Sequence, residues 1–414
     1  MVRVVVKRDG TRVPFNSQKI IDAVSAAMNR AGQYDLEIAR RIAEDIEAIS
    51  DEVLEVEEIQ DLVEDALMDF NLNLAAKEYI TYRNKRTKER ERNSSINKQI
   101  EAVLNGTNVQ NSNANVDELS FSGKKAESSN ILHKQISLDA FMRPEVAQAH
   151  RESRIYIHDL SEYDIGDHNC LFADVAHLLA NGFSTRNGDV RPAGNLSTAC
   201  QLVAVIFQCQ SQVQFGGVAS AHIDFDLAPY VKKSYYKHYR DGLRYLSNMG
   251  IDDIEGFYSK CKEDMPCIHD SRFTDNPTVY QYAIDMLETE GKQSAQGLFH
   301  NLNTLESRAG SQVPFSSLNL GLDISPEGRL VSRWLLEASI DGIGKYHMTS
   351  IFPISIFVYK KGVNMEPGDP NYDLKQLAMI SLSKRIYPNI LNGNFSQNVV
   401  TEGDPDTEMA TMGK

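Results

Sequence analysis

The stretch Met1-Val-Arg-Val-Val-Val-Lys-Arg-Asp-Gly10-Thr-Arg-Val-Pro-Phe-Asn-Ser17 decides the fold of the first part of the chain. Val2, Val4 and Val6 recur at strand period, Asp9-Gly10 supplies a tight turn, and Val13-Pro14-Phe15 returns as a second short strand. Asn16 or Ser17 can cap the helix that follows. Its spacing puts Ile20, Val24, Ala27 and Met28 on one face and stops it at Gly32. Two more amphipathic helices carry Leu36, Ala39, Ile42, Ala43 and Ile46, then Val56, Ile59, Leu62, Val63, Ala66 and Phe70. A fourth runs from Leu74 through Tyr82 into a basic tail. The pattern predicts a hairpin followed by four helices, a small α+β domain over residues 1–92.

Beyond it the composition shifts. Fifteen of the 38 residues from 93 to 130 are Asn or Ser, which reads as a linker holding one short helix from Ile96 to Leu104. Residues 131–414 form one long α/β region. Helical patterns from Val218 to Tyr239 and from Leu330 to Ile343 alternate with strand-like runs from Val313 to Ile324 and from Ser350 to Tyr359. Such alternation predicts a sheet or barrel wrapped by helices.

The 414 residues carry 57 acidic against 43 basic side chains, a formal charge of −14. That balance argues against a nucleic-acid-binding surface, which needs a net basic face. A pocket for a small anion remains open, since it needs only a few local cations. The charged start is too short for a signal peptide, and the longest apolar run, Leu171 to Ala180, is broken by Asp174 and His177. No membrane partner is expected. Cys170, Cys200, Cys209, Cys261 and Cys267 contain no Cys-x-x-Cys pair, which fits a reducing cytosol and a cytoplasmic protein. Cys261, Cys267 and His269 read as core or surface groups, and no metal site is expected.

Lys7-Arg8-Asp9-Gly10, with Asn16 and Lys19, sets cations at a strand end and in a first helical turn, where they can converge on phosphates. Taken alone, the same residues describe an exposed basic hairpin. The whole layout resembles the ATP-cone, a regulatory nucleotide-binding domain whose closing Tyr-x-x-Tyr-Arg helix is met at Tyr79-Ile80-Thr81-Tyr82-Arg83. This resemblance implies that ATP or dATP binds as an allosteric effector through Lys7, Arg8, Asn16 and Lys19.

Downstream, Ile157-His-Asp-Leu160, Asn169-Cys170, Gly216-Gly217, Leu227-Ala-Pro229, Gly368-Asp-Pro-Asn-Tyr-Asp373, Lys375-Gln-Leu-Ala378, Ser383-Lys-Arg385 and Tyr387-Pro388 form an ordered set. It is similar to the catalytic subunit of the anaerobic (class III) ribonucleotide reductases. The resemblance implies an α+β ATP-cone followed by an incomplete α/β ten-stranded barrel of the glycyl-radical and ribonucleotide reductase type. It also implies reduction of ribonucleoside triphosphates by glycyl and thiyl radical chemistry, with formate as reductant. A radical S-adenosylmethionine activating enzyme and a second copy of the chain would be its partners.

Residue by residue, the resemblance gives Cys170 a role in assisting reduction at C2′ and His158 a role in moving a proton nearby. Lys237 would meet the phosphate of a second, specificity-setting deoxynucleotide. By themselves, Cys170 reads as a packed thiol, His158 as a polar strand-end residue, and Lys237 as part of a solvated basic helix end. The family's thiyl-forming cysteine, zinc-binding cysteines and radical-storing glycine are expected beyond this sequence. Its ending, Met412-Gly413-Lys414, resembles the approach to that cysteine, with Lys414 in its place. The chain alone is therefore expected to bind nucleotide without turnover. Two alternatives stand beside this: a free regulatory fragment sensing ATP and dATP, and another glycyl-radical enzyme, which would not need the cone.

Overall fold

A computed structural model describes residues 2–8, 10–92, 95–106, 116–117, 119–166, 168–394 and 410–413. Asp9 of the expected turn, much of the expected linker and Lys414 lie outside the described residues. The chain divides into two compact units, Met1–Ala102 and Val103–Lys414.

In the first unit, β1 (Val4–Val6) pairs antiparallel with β2 (Arg12–Pro14), Val5 standing opposite Val13. Gly10 takes φ +78°, a left-handed conformation that glycine adopts without a Cβ penalty. Asn16 caps α1 (Ser17–Arg30), its side chain accepting the Gln18 N–H at 3.0 Å. Asp35 does the same for α2 (Leu36–Glu47). One element was not visible in the sequence pattern: β3 (Val53–Glu55) adds to β1 in parallel, giving the order β2–β1–β3. A capping box between Glu55 and Glu58 then starts α3 (Val56–Asp69), and α4 (Asn73–Arg92) closes the unit. Val24, Met28, Ile42, Val63 and Leu67 make a core that is fully buried.

α5 (Ser95–Leu104) matches the short helix expected there. The Asn- and Ser-rich stretch is not all linker, however, because α6 (Phe121–Ile136) begins inside it. Ser120 caps α6 by accepting the Gly123 N–H at 2.9 Å and bonds Ser311 at 3.0 Å. Polar residues that read as a spacer therefore act as caps and anchors.

The second unit continues through α7 (Pro144–Arg151), β4 (Leu171–Phe172), α8 (Val175–Asn181) and a hairpin of β5 (Phe183–Thr185) and β6 (Gly188–Val190). Then come α9 (Leu196–Gln210), β7 (Val218–Ser220), α10 (Ile223–Leu246), α11 (Ile251–Asp264), α12 (Ser271–Thr274) and α13 (Pro277–Thr304). It ends with β8 (Ser316–Leu320), α14 (Pro326–Asp341), β9 (Ile354–Tyr359), α15 (Tyr372–Lys384) and β10 (Asn389–Asn392). The run from Val218 to Tyr239, expected as one helix, is a strand followed by a helix. Asp226 explains the break: it accepts from Ser220 Oγ at 2.7 Å and pairs with His222 Nδ1 at 3.1 Å, so the chain turns between strand and helix.

The five strands are all parallel, in the order β10–β9–β8–β7–β4. Leu318, Leu320 and Phe357 point into one core with Phe207, Leu227, Leu298, Trp334 and Leu374 from the surrounding helices. The register sets Ser317 opposite Ile354 and Asn319 opposite Ile356, so these four side chains share the other face. That inner face carries the cavity described next.

Candidate functional site

A cavity of about 400 Å³ lies where the strands begin. Its lining comes from the residues just ahead of four strands: Asn169 and Cys170, Phe215 to Gly217, Phe315, and Ile351 with Phe352. Ile354, Tyr387, His158, Asp159, Met412 and Gly413 complete it. The structure therefore brings together the two residues that the sequence singled out for chemistry, Cys170 and His158, with Met412 and Gly413.

Cys170 is half-buried, and its Sγ lies 3.3 Å from Asn169 Oδ1 and accepts the Gly217 N–H at 3.2 Å. The loop carrying that N–H is held on every side. The Phe215 N–H donates to the His168 carbonyl at 2.9 Å, and Gln214 Nε2 donates to the Gly217 carbonyl at 2.7 Å. Arg308, buried beneath the loop, donates to the carbonyls of Gly216 at 2.9 Å and Phe215 at 2.5 Å, with its guanidinium 3.9 Å from the Phe315 ring centre. Gly216 is required by contact: a Cβ there would stand 2.0 Å from the Asn169 carbonyl oxygen. Thiol and N–H are thus set by rigid backbone.

His158 is exposed and pairs through Nδ1 with Asp159 Oδ2 at 2.5 Å. Asp159 takes φ +55°, a conformation few non-glycine residues adopt, on the cavity wall. A carboxylate that accepts from Nδ1–H fixes the imidazole tautomer and leaves Nε2 as the atom that can take up a proton and give it back.

The first unit holds a separate cavity of about 660 Å³, lined by Arg8, Glu57, Glu64, Ile80, Arg83, Asn84 and Thr87. Arg83 of the Tyr-x-x-Tyr-Arg motif is its hub, donating to Asp61 at 2.6 Å, Glu64 at 2.8 Å and Glu57 at 2.7 Å. Arg8 pairs with Glu57 and reaches Gln60 at 3.2 Å. Burial would push the Glu57 carboxyl up, but hydrogen bonds from Arg8 and Arg83 outweigh it and hold it below the usual range. Tyr79, packed against the core, is pushed up to about 12 by burial and then by Glu64. Of the four expected effector residues, Arg8 lies on this wall; Asn16 is engaged as the α1 cap, and Lys7 and Lys19 are exposed outside the wall.

Lys237 is exposed on α10. Its neighbour His238 turns inward, where Nε2 meets Glu290 of α13 at 2.6 Å and Ser234 donates to the same carboxylate at 2.9 Å. Cys261 is buried and Cys267 half-buried. Among the described residues, no three His, Cys, Asp or Glu side chains gather as metal ligands.

Sequence reasoning did not find Arg308, Gln214, Ser317 or Asn319. A signal existed for the last two. A parallel strand covered on both faces reads as an apolar run, yet β8 is Ser-Ser-Leu-Asn-Leu and buried throughout.

Fold and site define an α/β unit, with a cysteine and a histidine on one pocket, joined to a small α+β domain with a charged cavity of its own. Residues 112–413 match the family model described as anaerobic ribonucleoside-triphosphate reductase, and residues 3–88 match the ATP cone domain. The chain belongs to the anaerobic ribonucleoside-triphosphate reductase family and begins with an ATP-cone. It is 33% identical over 396 residues to the anaerobic ribonucleoside-triphosphate reductase of Haemophilus influenzae, covering 94% of this chain and 52% of that protein. With the Salmonella typhimurium reductase it is 33% identical over 411 residues, covering 98% of this chain and 53% of the relative. The chain spans about half the length of the curated relatives it matches. Among solved structures, the anaerobic ribonucleotide reductase of Thermotoga maritima in complex with dATP and CTP aligns at a TM-score of 0.41. That alignment has 16% identity and covers 64% of this chain and 42% of that one. The fold class expected from the sequence fits what is observed: a small α+β domain and, among the described residues that follow, a five-stranded parallel sheet wrapped by helices, as an incomplete α/β barrel would show. No helix among the described residues is long and apolar enough to cross a membrane.

Proposed function

We propose that this chain supplies the effector domain and the cysteine-bearing wall of the substrate pocket of an anaerobic ribonucleoside-triphosphate reductase. The observation that carries the reading is the meeting of Cys170, His158 and Gly413 on one cavity large enough for a ribose. The activity is that of the whole reductase, of which these residues match about half.

The overall change replaces the ribose 2′-hydroxyl by hydrogen. Formate and a proton are consumed; carbon dioxide and water are released. The glycyl and thiyl radical chemistry expected of the family, generated by a radical S-adenosylmethionine activating enzyme, supplies removal of the 3′ hydrogen. The residues of this chain position and protonate. His158, its Nδ1 held by Asp159, delivers from Nε2 the proton with which the 2′-oxygen leaves as water. Cys170, its sulfur fixed by the Gly217 N–H, faces C2′ and assists the reduction. The apolar part of the wall, Phe315, Phe352 and Ile354, excludes water from that step.

ATP and dATP are the effectors assigned to the first unit, with Arg8 on the cavity wall and the exposed Lys7 and Lys19 as further phosphate ligands. Lys237 is assigned to a specificity-setting deoxynucleotide at the contact with a second copy of the chain. Calorimetry with ATP and dATP tests the first assignment: Arg8→Ala should weaken binding at least tenfold, and Lys7→Ala with Lys19→Ala by a similar factor. Protection of Cys170 from alkylation by a ribonucleoside triphosphate tests the second cavity. A chain that binds no nucleotide at either place would overturn the reading. So would deoxynucleotide formation that persists in Cys170→Ser when the rest of such a reductase is supplied.

A further inference from the structure

Residues 410–413 lie on the inner face of the sheet, and β8 holds them there through its side chains. Asn319 Oδ1 accepts the Thr411 N–H at 3.2 Å, and Asn319 Nδ2 donates to the Thr411 carbonyl at 2.9 Å. The second amide hydrogen of Asn319 goes to the Ser220 carbonyl on β7, also at 2.9 Å. Two residues further along the strip, the Gly413 N–H donates to Ser317 Oγ at 3.2 Å. The strip advances by two residues as β8 retreats by two, so it runs antiparallel to the strand. It carries the chain toward the end of the sheet where the strands begin, which is where the cavity lies. Met412 and Gly413 are part of the cavity lining, together with Cys170 and His158.

We propose that Asn319, assisted by Ser317, is the positioning residue that registers this strip and so sets how Met412 and Gly413 close the wall of the Cys170 cavity. A carboxamide repeats the donor and acceptor of a peptide group. It therefore grips the backbone of Thr411 at two points whatever side chain that position carries. Asn319 is fully buried on a central strand, and its register partner on the same face, Ile356, is apolar. An apolar residue would suit a position that only filled space; the amide is there because backbone groups of two other segments need partners. Gly413 sharpens the register further. A Cβ at that position would meet Ile354 Cγ2 at 2.4 Å, so sliding the strip by one residue would drive a side chain into β9. A segment held by side chains can also leave without breaking the sheet's own ladder, which a paired strand cannot do.

The clamp is measurable without turnover, so its test is separate from that of the proposed reaction; only its catalytic consequence rests on that reading. The full chain and its Asn319→Leu, Asn319→Asp and Ser317→Ala variants would be compared anaerobically. Hydrogen exchange would be followed at Thr411 and Gly413, and N-ethylmaleimide labelling at each cysteine by peptide mass spectrometry. Asn319→Leu should speed exchange at both amides, and labelling of Cys170, by about tenfold, the factor expected from losing one or two hydrogen bonds. Ser317→Ala should give a smaller rise, greatest at Gly413. Exposed Cys209 should label at an unchanged rate, and buried Cys200 should stay protected, as controls for the fold. If Asn319→Leu exposes Cys200, the milder Ser317→Ala and Asn319→Asp decide: a rise at Thr411, Gly413 and Cys170 with Cys200 protected supports the clamp. Wild-type exchange and Cys170 labelling in whichever variants remain folded would overturn it.

Discussion

Replacing Arg308 by Met tests whether a buried cation sets the Cys170 loop. The guanidinium makes hydrogen bonds of 2.9 and 2.5 Å to two carbonyls and sits 3.9 Å from the Phe315 ring centre. Hydrogen bonds with one charged partner contribute about 1.5–3 kcal/mol each. A desolvated cation–π contact adds about 1–2 kcal/mol. Methionine keeps the apolar stem and removes the need to bury a charge, which offsets several kcal/mol of that loss. Gln214 Nε2 still reaches the Gly216 carbonyl at 3.4 Å, so one carbonyl keeps a weak partner. The net expectation is destabilisation by about 2–4 kcal/mol, shifting the urea midpoint down by roughly 1 M for a unit of this size. The single tryptophan, Trp334, is buried in the helix layer of the same unit and reports that transition by fluorescence. Arg308→Lys should recover less than half of the loss, because one ammonium replaces a planar fork that spans two carbonyls. In both variants Cys170 should alkylate faster as the Gly217 N–H is freed from its position. A midpoint within about 0.2 M of wild type, with unaltered Cys170 labelling, would refute the argument that the buried fork organises this loop.

Other expectations follow from the same geometry. Arg83→Met leaves Glu57, Asp61 and Glu64 facing one another without their shared cation, and should lower the stability of the first unit by about 1–3 kcal/mol in thermal scans. The dependence on pH should have two limbs of opposite sign. Glu57, held below its ordinary 4.5, stabilises the fold above that value, and this stability is lost as pH falls through its depressed value; Glu57→Gln should blunt the acid limb. Asp224 is raised to about 6 by burial, which outweighs the N–H groups of Asp323, Gly321 and Phe225. It therefore binds its proton more tightly when folded, and stability should fall as pH rises from about 3.8 to about 6. Urea midpoints across that range should flatten in Asp224→Asn. Cys170→Ser should leave the Trp334 transition within about 1 kcal/mol of wild type, since the hydroxyl can still accept from Gly217 N–H, and ATP binding by calorimetry should not change.

What the sequence determined by itself is whatever repeats within a few residues or is written as a short motif. The period of Ile20, Val24 and Met28 located α1, and that of Ile59, Leu62, Val63 and Ala66 located α3, because one buried face forces that spacing. His-Asp-Leu and Asn-Cys, 12 residues apart by their His158 and Cys170, pointed to residues that share one wall. The tertiary structure decided the rest. β3 has three residues and exists because β1 offers a free edge to pair with, so no local pattern announces it. Asn16, which the sequence offered both as a helix cap and as a phosphate ligand, caps α1 through its Oδ1. Arg308 and Gly216 are 92 residues apart, as are Asn319 and Thr411. Each pair is joined only when parallel strands bring their ends to one place. A buried polar side chain is defined by the backbone group it must satisfy, and that group belongs to a distant part of the chain until the fold delivers it.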